Sequence, residues 1–195
     1  MKHPSMQIII EEHAALSAML RSLSLMLTRG PEPNRGKFFE VLRAMLFYID
    51  EFPERLHHPK ESQLLFPPVL QRCPELASTV SQLEKDHVRG EHRVRELQHL
   101  LLAWELLGDS RRNAFEKAAQ EFLQFYLDHM RLEESVILPQ AQKSLSTDEW
   151  KALDDAFATN CDPLTGKYPP GQDYLGLFSR ITENAPAPIG LGGNA

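Results

Sequence analysis

HHPKESQLLFP, residues 57–67, decides how this chain is read, because HMRLEESVILP at residues 129–139 repeats its pattern. In each stretch a histidine is followed four residues later by a glutamate, His57 by Glu61 and His129 by Glu133. Six residues further on comes a proline, Pro67 or Pro139, preceded by Leu65-Phe66 in one copy and Ile137-Leu138 in the other. A lone histidine stands upstream of each copy: His13 lies 44 residues before His57, and His87 lies 42 before His129. The two halves read as two helical hairpins. Each hairpin offers one His from its first helix and a His-x-x-x-Glu from its second.

Periodicity outward from these motifs is helical throughout, with no sustained two-residue alternation. The spacing predicts a first helix over about Ser5–Thr28, with Met6, Ile9, His13, Leu16, Leu20, Leu23 and Leu27 on one face. GPEPNRG (30–36) closes it. A second helix starts near Lys37, carries Phe39, Leu42, Leu46 and Ile49 inward, and must be kinked or interrupted by Pro53, Pro59 and Pro67-Pro68. A third follows Pro74 to about Leu107, with Val80, Leu83, His87, Gly90, Val94, Leu97 and Leu101 as its seam. The fourth, about Arg111 to Lys143, is expected to bury Phe115, Ala118, Phe122, Phe125, His129, Leu132 and Val136. Short turns between long amphipathic helices predict an all-α, up-down-up-down antiparallel four-helix bundle over 1–145. Residues 146–195 should add a short fifth helix, opened by a capping box at Ser146-Thr147-Asp148-Glu149, and a Pro/Gly-rich extension packed on the bundle. Within that extension Asp173–Ile181 can form a helix, and APAPIGLGGNA at the end reads as extended or disordered.

The spacing carries chemistry. An i, i+4 pair places His and Glu on one helix face, one turn apart, so both reach a single centre. Seam positions point into the bundle, where an uncompensated imidazole or carboxylate costs roughly several kcal/mol. Joining the hairpins brings His13, His57, His87 and His129 together with Glu61 and Glu133. That set suits two metal ions with two His each and both carboxylates shared, leaving coordination positions open to water, oxide or dioxygen. Nitrogen and oxygen donors without thiolate suit iron or manganese, tolerate zinc, and argue against magnesium or calcium. Two iron ions are the expected occupants, oxo- or hydroxo-bridged, with zinc or manganese as substitutes.

The blander readings differ by residue. Alone, a seam His is more often a satisfied core residue, and a His-x-x-x-Glu pair a surface ion pair; the duplication reverses this. His58, beside His57 and Pro59, is either an additional ligand or a cavity-edge residue. Glu91, one turn after His87, is a further candidate, directly or through water. Gly90 allows close packing or leaves space for a small ligand. His92 and His99 fall on a polar face, and His3 in a fraying terminus. Glu12, Asp86 and Asp128 each directly precede a candidate His, but such a neighbour points elsewhere on a helix, so all three are expected at the surface. Tyr126, one turn before His129, is either a hydrogen-bond donor to a shared carboxylate or an ordinary core-packing residue.

EEHAAL around His13, HHPKESQLLFPPVL around His57 and Glu61, KDH at His87 and HMRLEESVILP around His129 resemble the hemerythrin-like HHE cation-binding family over about residues 5–143. The resemblance implies a non-haem di-iron four-helix bundle with the six residues above as ligands. Oxygen-carrying hemerythrins use five His and two carboxylates, and where they place a second His on the third helix this chain has Glu91. The expected function is binding or sensing of dioxygen, nitric oxide or iron. The alternative is a di-iron oxidoreductase or iron–sulfur-cluster repair factor in oxidative or nitrosative stress, ranked lower because no second cofactor motif is present.

Composition bounds the rest. A net charge of −6 offers no basic footprint for nucleic acid. No apolar run reaches the roughly 18 residues of a membrane span, and the start MKHPSMQIII has no signal-peptide pattern, so the expected location is cytoplasmic. Cys73 and Cys161 match no CxxC pattern and are expected as free thiols. A homodimer is compatible with the sequence.

Overall fold

A computed structural model describes residues 3–192 and is all-α over that range. Helix α1 spans Pro4–Arg29. Helix α2 is a continuous helical run over 35–72, α3 spans Ala77–Leu107, and α4 runs over 112–144. Each packs against the next and α4 returns to α1, closing a four-membered ring. Outside it lie α5, Thr147–Phe157, and α6, Leu175–Asn184. The predicted capping box is present: Ser146 Oγ accepts from the Glu149 N–H, and Glu149 takes the Ser146 N–H in return.

The prolines of α2 and α4 are absorbed, and neither helix is broken by them. Asp50–His57, Glu61–Leu65 and Glu133–Ile137 are wound as π-helical turns. In them the N–H groups of His58, Phe66 and Leu138 bond back five residues, to Pro53, Glu61 and Glu133. Each widened turn contains the residue four before a proline: Arg55 before Pro59, Gln63 before Pro67, Ser135 before Pro139. A tighter α turn would crowd that carbonyl against the ring and leave it without a donor. Helix α2 stops only at Cys73 (φ −127°, ψ 69°).

Seams of α1, α2 and α3 are buried as predicted, apart from the half-buried Met6. The face of α4 differs. Ala119, Tyr126, Met130 and Ile137 are buried, whereas Ala118, Phe125, Leu132 and Val136 are only half-buried. The α4 stripe is two apolar residues wide, and sequence periodicity picked its outer edge.

Two apolar cores result. One gathers Leu16–Leu27, Phe38–Phe52, Val94–Trp104 and Phe115–Met130. The other gathers Ile9, Leu65, Phe66, Val69, Val80, Leu83, Ile137 and Leu138 with Trp150, Leu153 and Phe157 of α5. On every bundle helix the motif residues lie between the two, so a polar layer is sandwiched by apolar ones.

The C-terminal stretch corrects two expectations. His3 does not fray: its ring stacks on Trp150 at 4.1 Å. Residues 185–192 are neither extended nor loose; they turn back onto α1, and only 193–195 of the predicted tail lie outside the described residues. Buried Ser22 holds the turn, its Oγ donating to the Pro186 carbonyl (2.8 Å) and accepting from the Ile189 N–H (3.1 Å). Ser22→Ala should therefore lower unfolding free energy by about 1–3 kcal/mol in urea denaturation, since buried backbone groups lose their partner. An unchanged midpoint would contradict that docking.

Candidate metal centre

Four helices each bring one or two donors to the polar layer. Glu61 and Glu133 are both 0 % exposed, and their four oxygens have no hydrogen-bond partner among the described residues. Each carboxylate spans two groups of imidazoles. Glu61 Oε1 lies 3.1 Å from His57 Nε2, and its Oε2 lies 3.5 Å from His87 Nε2. Glu133 Oε2 lies 3.4 Å from His13 Nε2, while its Oε1 lies 3.3 Å from His129 Nε2 and 3.6 Å from His87 Nε2. Ligand atoms of His13, His57 and Glu61 fall within 4.8 Å of one another, as do those of Glu61, His87, His129 and Glu133. All six predicted residues thus converge on one interior point, in two adjoining groups.

His58 joins the second group. Its ligand atom, with those of His87 and His129, forms a further set within 4.8 Å, and its ring stacks on His87 at 4.3 Å. Glu91 does not join: it is exposed and paired with Arg95 (2.6 Å) on the same helix. Gly90 and Val94 take the inward positions of that turn, which leaves Glu91 on the flank.

Four of the five opposite ring nitrogens are hydrogen-bonded by an outer set of groups, the arrangement that orients metal-bound imidazoles. That of His129 has no hydrogen-bond partner among the described residues. His57 Nδ1 donates to Glu12 Oε2 (2.6 Å), and His13 Nδ1 to Glu134 Oε1 (2.9 Å). His87 Nδ1 meets Ser62 Oγ (2.9 Å), His58 Nδ1 meets Glu54 Oε2 (3.1 Å), and His129 Nδ1 faces Asp86 Oδ2 at 3.9 Å. Glu12 and Asp86 are buried, not at the surface as expected; only Asp128 is exposed. The acid before a seam His is rotated about 100° from it on a helix. That rotation aims it at the neighbouring helix, where it serves the other histidine of the hairpin. The signal was present in Glu12-His13 and Asp86-His87 as a repeated acid–His step. The Tyr126 hydroxyl reaches no carboxylate and has no hydrogen-bond partner among the described residues. A Cβ on Gly90 would sit 2.2 Å from that hydroxyl and 2.8 Å from Glu54 Oε1, so Gly90 is the notch that admits both.

The outer groups follow the repeat. Glu12 and Asp86 are equivalent positions, and so are Ser62 and Glu134, each following a shared carboxylate and holding the first-helix His of the other hairpin. The repeat is broken one residue after the motif histidines, at His58 and Met130. The His87–His129 side gains a third imidazole. The His13–His57 side has a small cavity of about 10 Å³, with Leu16, Phe52, Leu56 and Met130 on its walls. That is room for roughly one water-sized molecule. A wider cleft of about 170 Å³ lies against His58 and His87.

Charge in the layer is balanced internally. Burial works against protonation of His57, yet the carboxylates of Glu61 and Glu12 outweigh it and hold His57 well above the ordinary histidine value. His129 is likewise disfavoured by burial but raised to about 10 by Glu133 and Asp86. Burial and the neighbouring His87 and His129 hold His58 well below its usual value. Burial lifts Glu54 to about 8. Glu61 is driven well below the usual carboxylate range, its burial outweighed by His57 and His87.

Residues 5–141 match the family model described as the hemerythrin HHE cation binding domain. The chain belongs to that family. No curated protein matches it. The donor set fits what the family description states: eleven buried side-chain atoms lack partners among the described residues, and seven of them are the Nε2 atoms of His57, His87 and His129 and the four Glu61 and Glu133 oxygens. A cation placed among them would satisfy these atoms together. Cys73 and Cys161 are free thiols and take no part.

Cation binding must displace the protons that the raised imidazoles hold. A histidine raised above its ordinary value stays protonated at neutral pH, so affinity should rise with pH until about 10, where His129 loses its proton unaided. Metal titrations at pH 6, 7.5 and 9 in weakly buffered dye solution should show proton release on binding and tighter binding at each step. Affinity independent of pH would contradict this charge state.

Proposed function

We propose that this HHE-family chain is a non-haem di-iron protein that binds or senses a small diatomic molecule, dioxygen or nitric oxide. The observation that carries the reading is the split carboxylate: Glu61 and Glu133 each present one oxygen to either imidazole group. Two cations side by side use that geometry, and a single cation does not need it. One position would be held by His13 and His57, the other by His58, His87 and His129, with both carboxylates shared. Donors of imidazole and carboxylate without thiolate favour iron, with manganese and zinc able to substitute.

When bound, iron supplies redox capacity and open coordination positions; the protein supplies the rest. Leu16, Phe52, Leu56 and Met130 give the cavity beside His13 and His57 an apolar wall. The cavity's volume of about 10 Å³ is on the scale of one water-sized ligand, which supports binding or sensing of a small molecule. On the other side His58 adds a third imidazole where the repeat has Met130, and a cleft of about 170 Å³ lies against His58 and His87. Glu12 and Glu134 orient the two imidazoles facing the cavity by taking their Nδ1 protons.

Glu61→Ala and Glu133→Ala should each reduce bound iron from about two per chain to one or fewer, measured on anaerobically loaded protein by metal analysis. Reduced wild-type protein should change its absorption spectrum on exposure to dioxygen or nitric oxide. Full iron occupancy in both variants, or a loaded protein spectrally silent to both gases, would overturn the reading.

A further inference from the structure

The family match ends at residue 141, yet His57 is gripped from beyond that point. Phe157, the last residue of α5, meets the His57 ring edge-on at 5.5 Å. The chain then turns inward at Cys161, whose φ of 47° lies in the left-handed region that non-glycine residues seldom adopt. Its thiol is exposed while Asn160 and Asp162 on either side are buried. Asp162 anchors the turn, accepting from the Tyr48 hydroxyl on α2 (2.6 Å) and from the Leu164 N–H (2.9 Å). Asn160 Oδ1 accepts from Lys60 Nζ, which fixes the orientation of the amide. Its Nδ2 then donates to Glu12 Oε2 at 2.9 Å, the oxygen that also accepts from His57 Nδ1 at 2.6 Å.

We propose that Asn160 is a positioning residue for the metal position of His13 and His57, acting through Glu12, so that the C-terminal segment sets the affinity of one metal position selectively. This rests on the dinuclear reading above. A carboxylate that accepts only from His57 is free to rotate or to draw the Nδ1 proton more strongly. A second donor on the same oxygen holds its direction and shares its charge. Outer partners of this kind change metal affinity by about 10–100-fold. The other half of the repeat provides the contrast. Asp86, the counterpart of Glu12, takes its amide donor from Gln82 one turn earlier on its own helix (2.8 Å). The donor on the Glu12 side instead arrives from 148 residues away in the chain.

The test uses Co²⁺ as a spectroscopic probe, titrated anaerobically into metal-free full-length protein. Wild-type protein should bind two equivalents. Asn160→Ala should bind the first as wild type does and the second about 10–100-fold more weakly, with altered cobalt bands for that equivalent only. Lys60→Met, a change at a half-exposed side chain, releases the amide with little risk to the fold and should weaken the same equivalent in the same direction. Wild-type titrations in both variants, or equal weakening of both equivalents, would overturn the proposal. Fewer than two equivalents in wild-type protein would instead remove the dinuclear reading, and this inference with it.

Discussion

Two buried carboxylates share one chamber, and the remainder of the structure is arranged around that constraint. Glu61 and Glu133 are near enough that each raises the cost of ionising the other, yet both are held below the ordinary carboxylate range by the surrounding imidazoles. Removing one partner from such a layer leaves a buried charge uncompensated, which costs about 3–5 kcal/mol. An apolar layer in the same place would be easier to stabilise. The polar one is explained by a cation that replaces the protons the layer otherwise holds.

The layer also accounts for local features that look separate. The π turns that accommodate Pro67 and Pro139 begin at the shared carboxylates Glu61 and Glu133, so the widened backbone lies within the polar layer. The two apolar cores lock the four helices in register on either side, so the donors are positioned by packing at both ends. Symmetry between the hairpins supplies two adjoining groups of imidazole and carboxylate donors. Its breaking at His58 and Met130 gives one group a third imidazole and leaves the other beside a small cavity walled by Met130. The same break extends one turn back, to Glu54 opposite Tyr126, and to Gly90 where the first hairpin has Leu16.

Much of this was legible in the sequence because periodicity and spacing are one-dimensional records of a helix face. The i, i+4 pairs, the seam histidines and their duplication point to all six residues that meet in the polar layer. Residues acting across helices were not legible. Glu12 and Asp86 read as surface acids because their direction depends on which helix stands beside them. His58 was ambiguous because the π turn before it changes the angle at which it leaves the helix. Asn160 was invisible, since nothing in a Pro/Gly-rich stretch indicates that a left-handed residue turns its neighbour inward. The α4 stripe was misphased for a related reason: with apolar residues on adjacent positions, periodicity cannot choose the inner edge.

The most direct measurement is anomalous diffraction at the iron edge, from crystals of iron-loaded protein grown without oxygen. Two peaks should lie between Glu61 and Glu133, one beside His13 and His57 and the other beside His58, His87 and His129. A single peak, or iron located away from both carboxylates, would contradict the account.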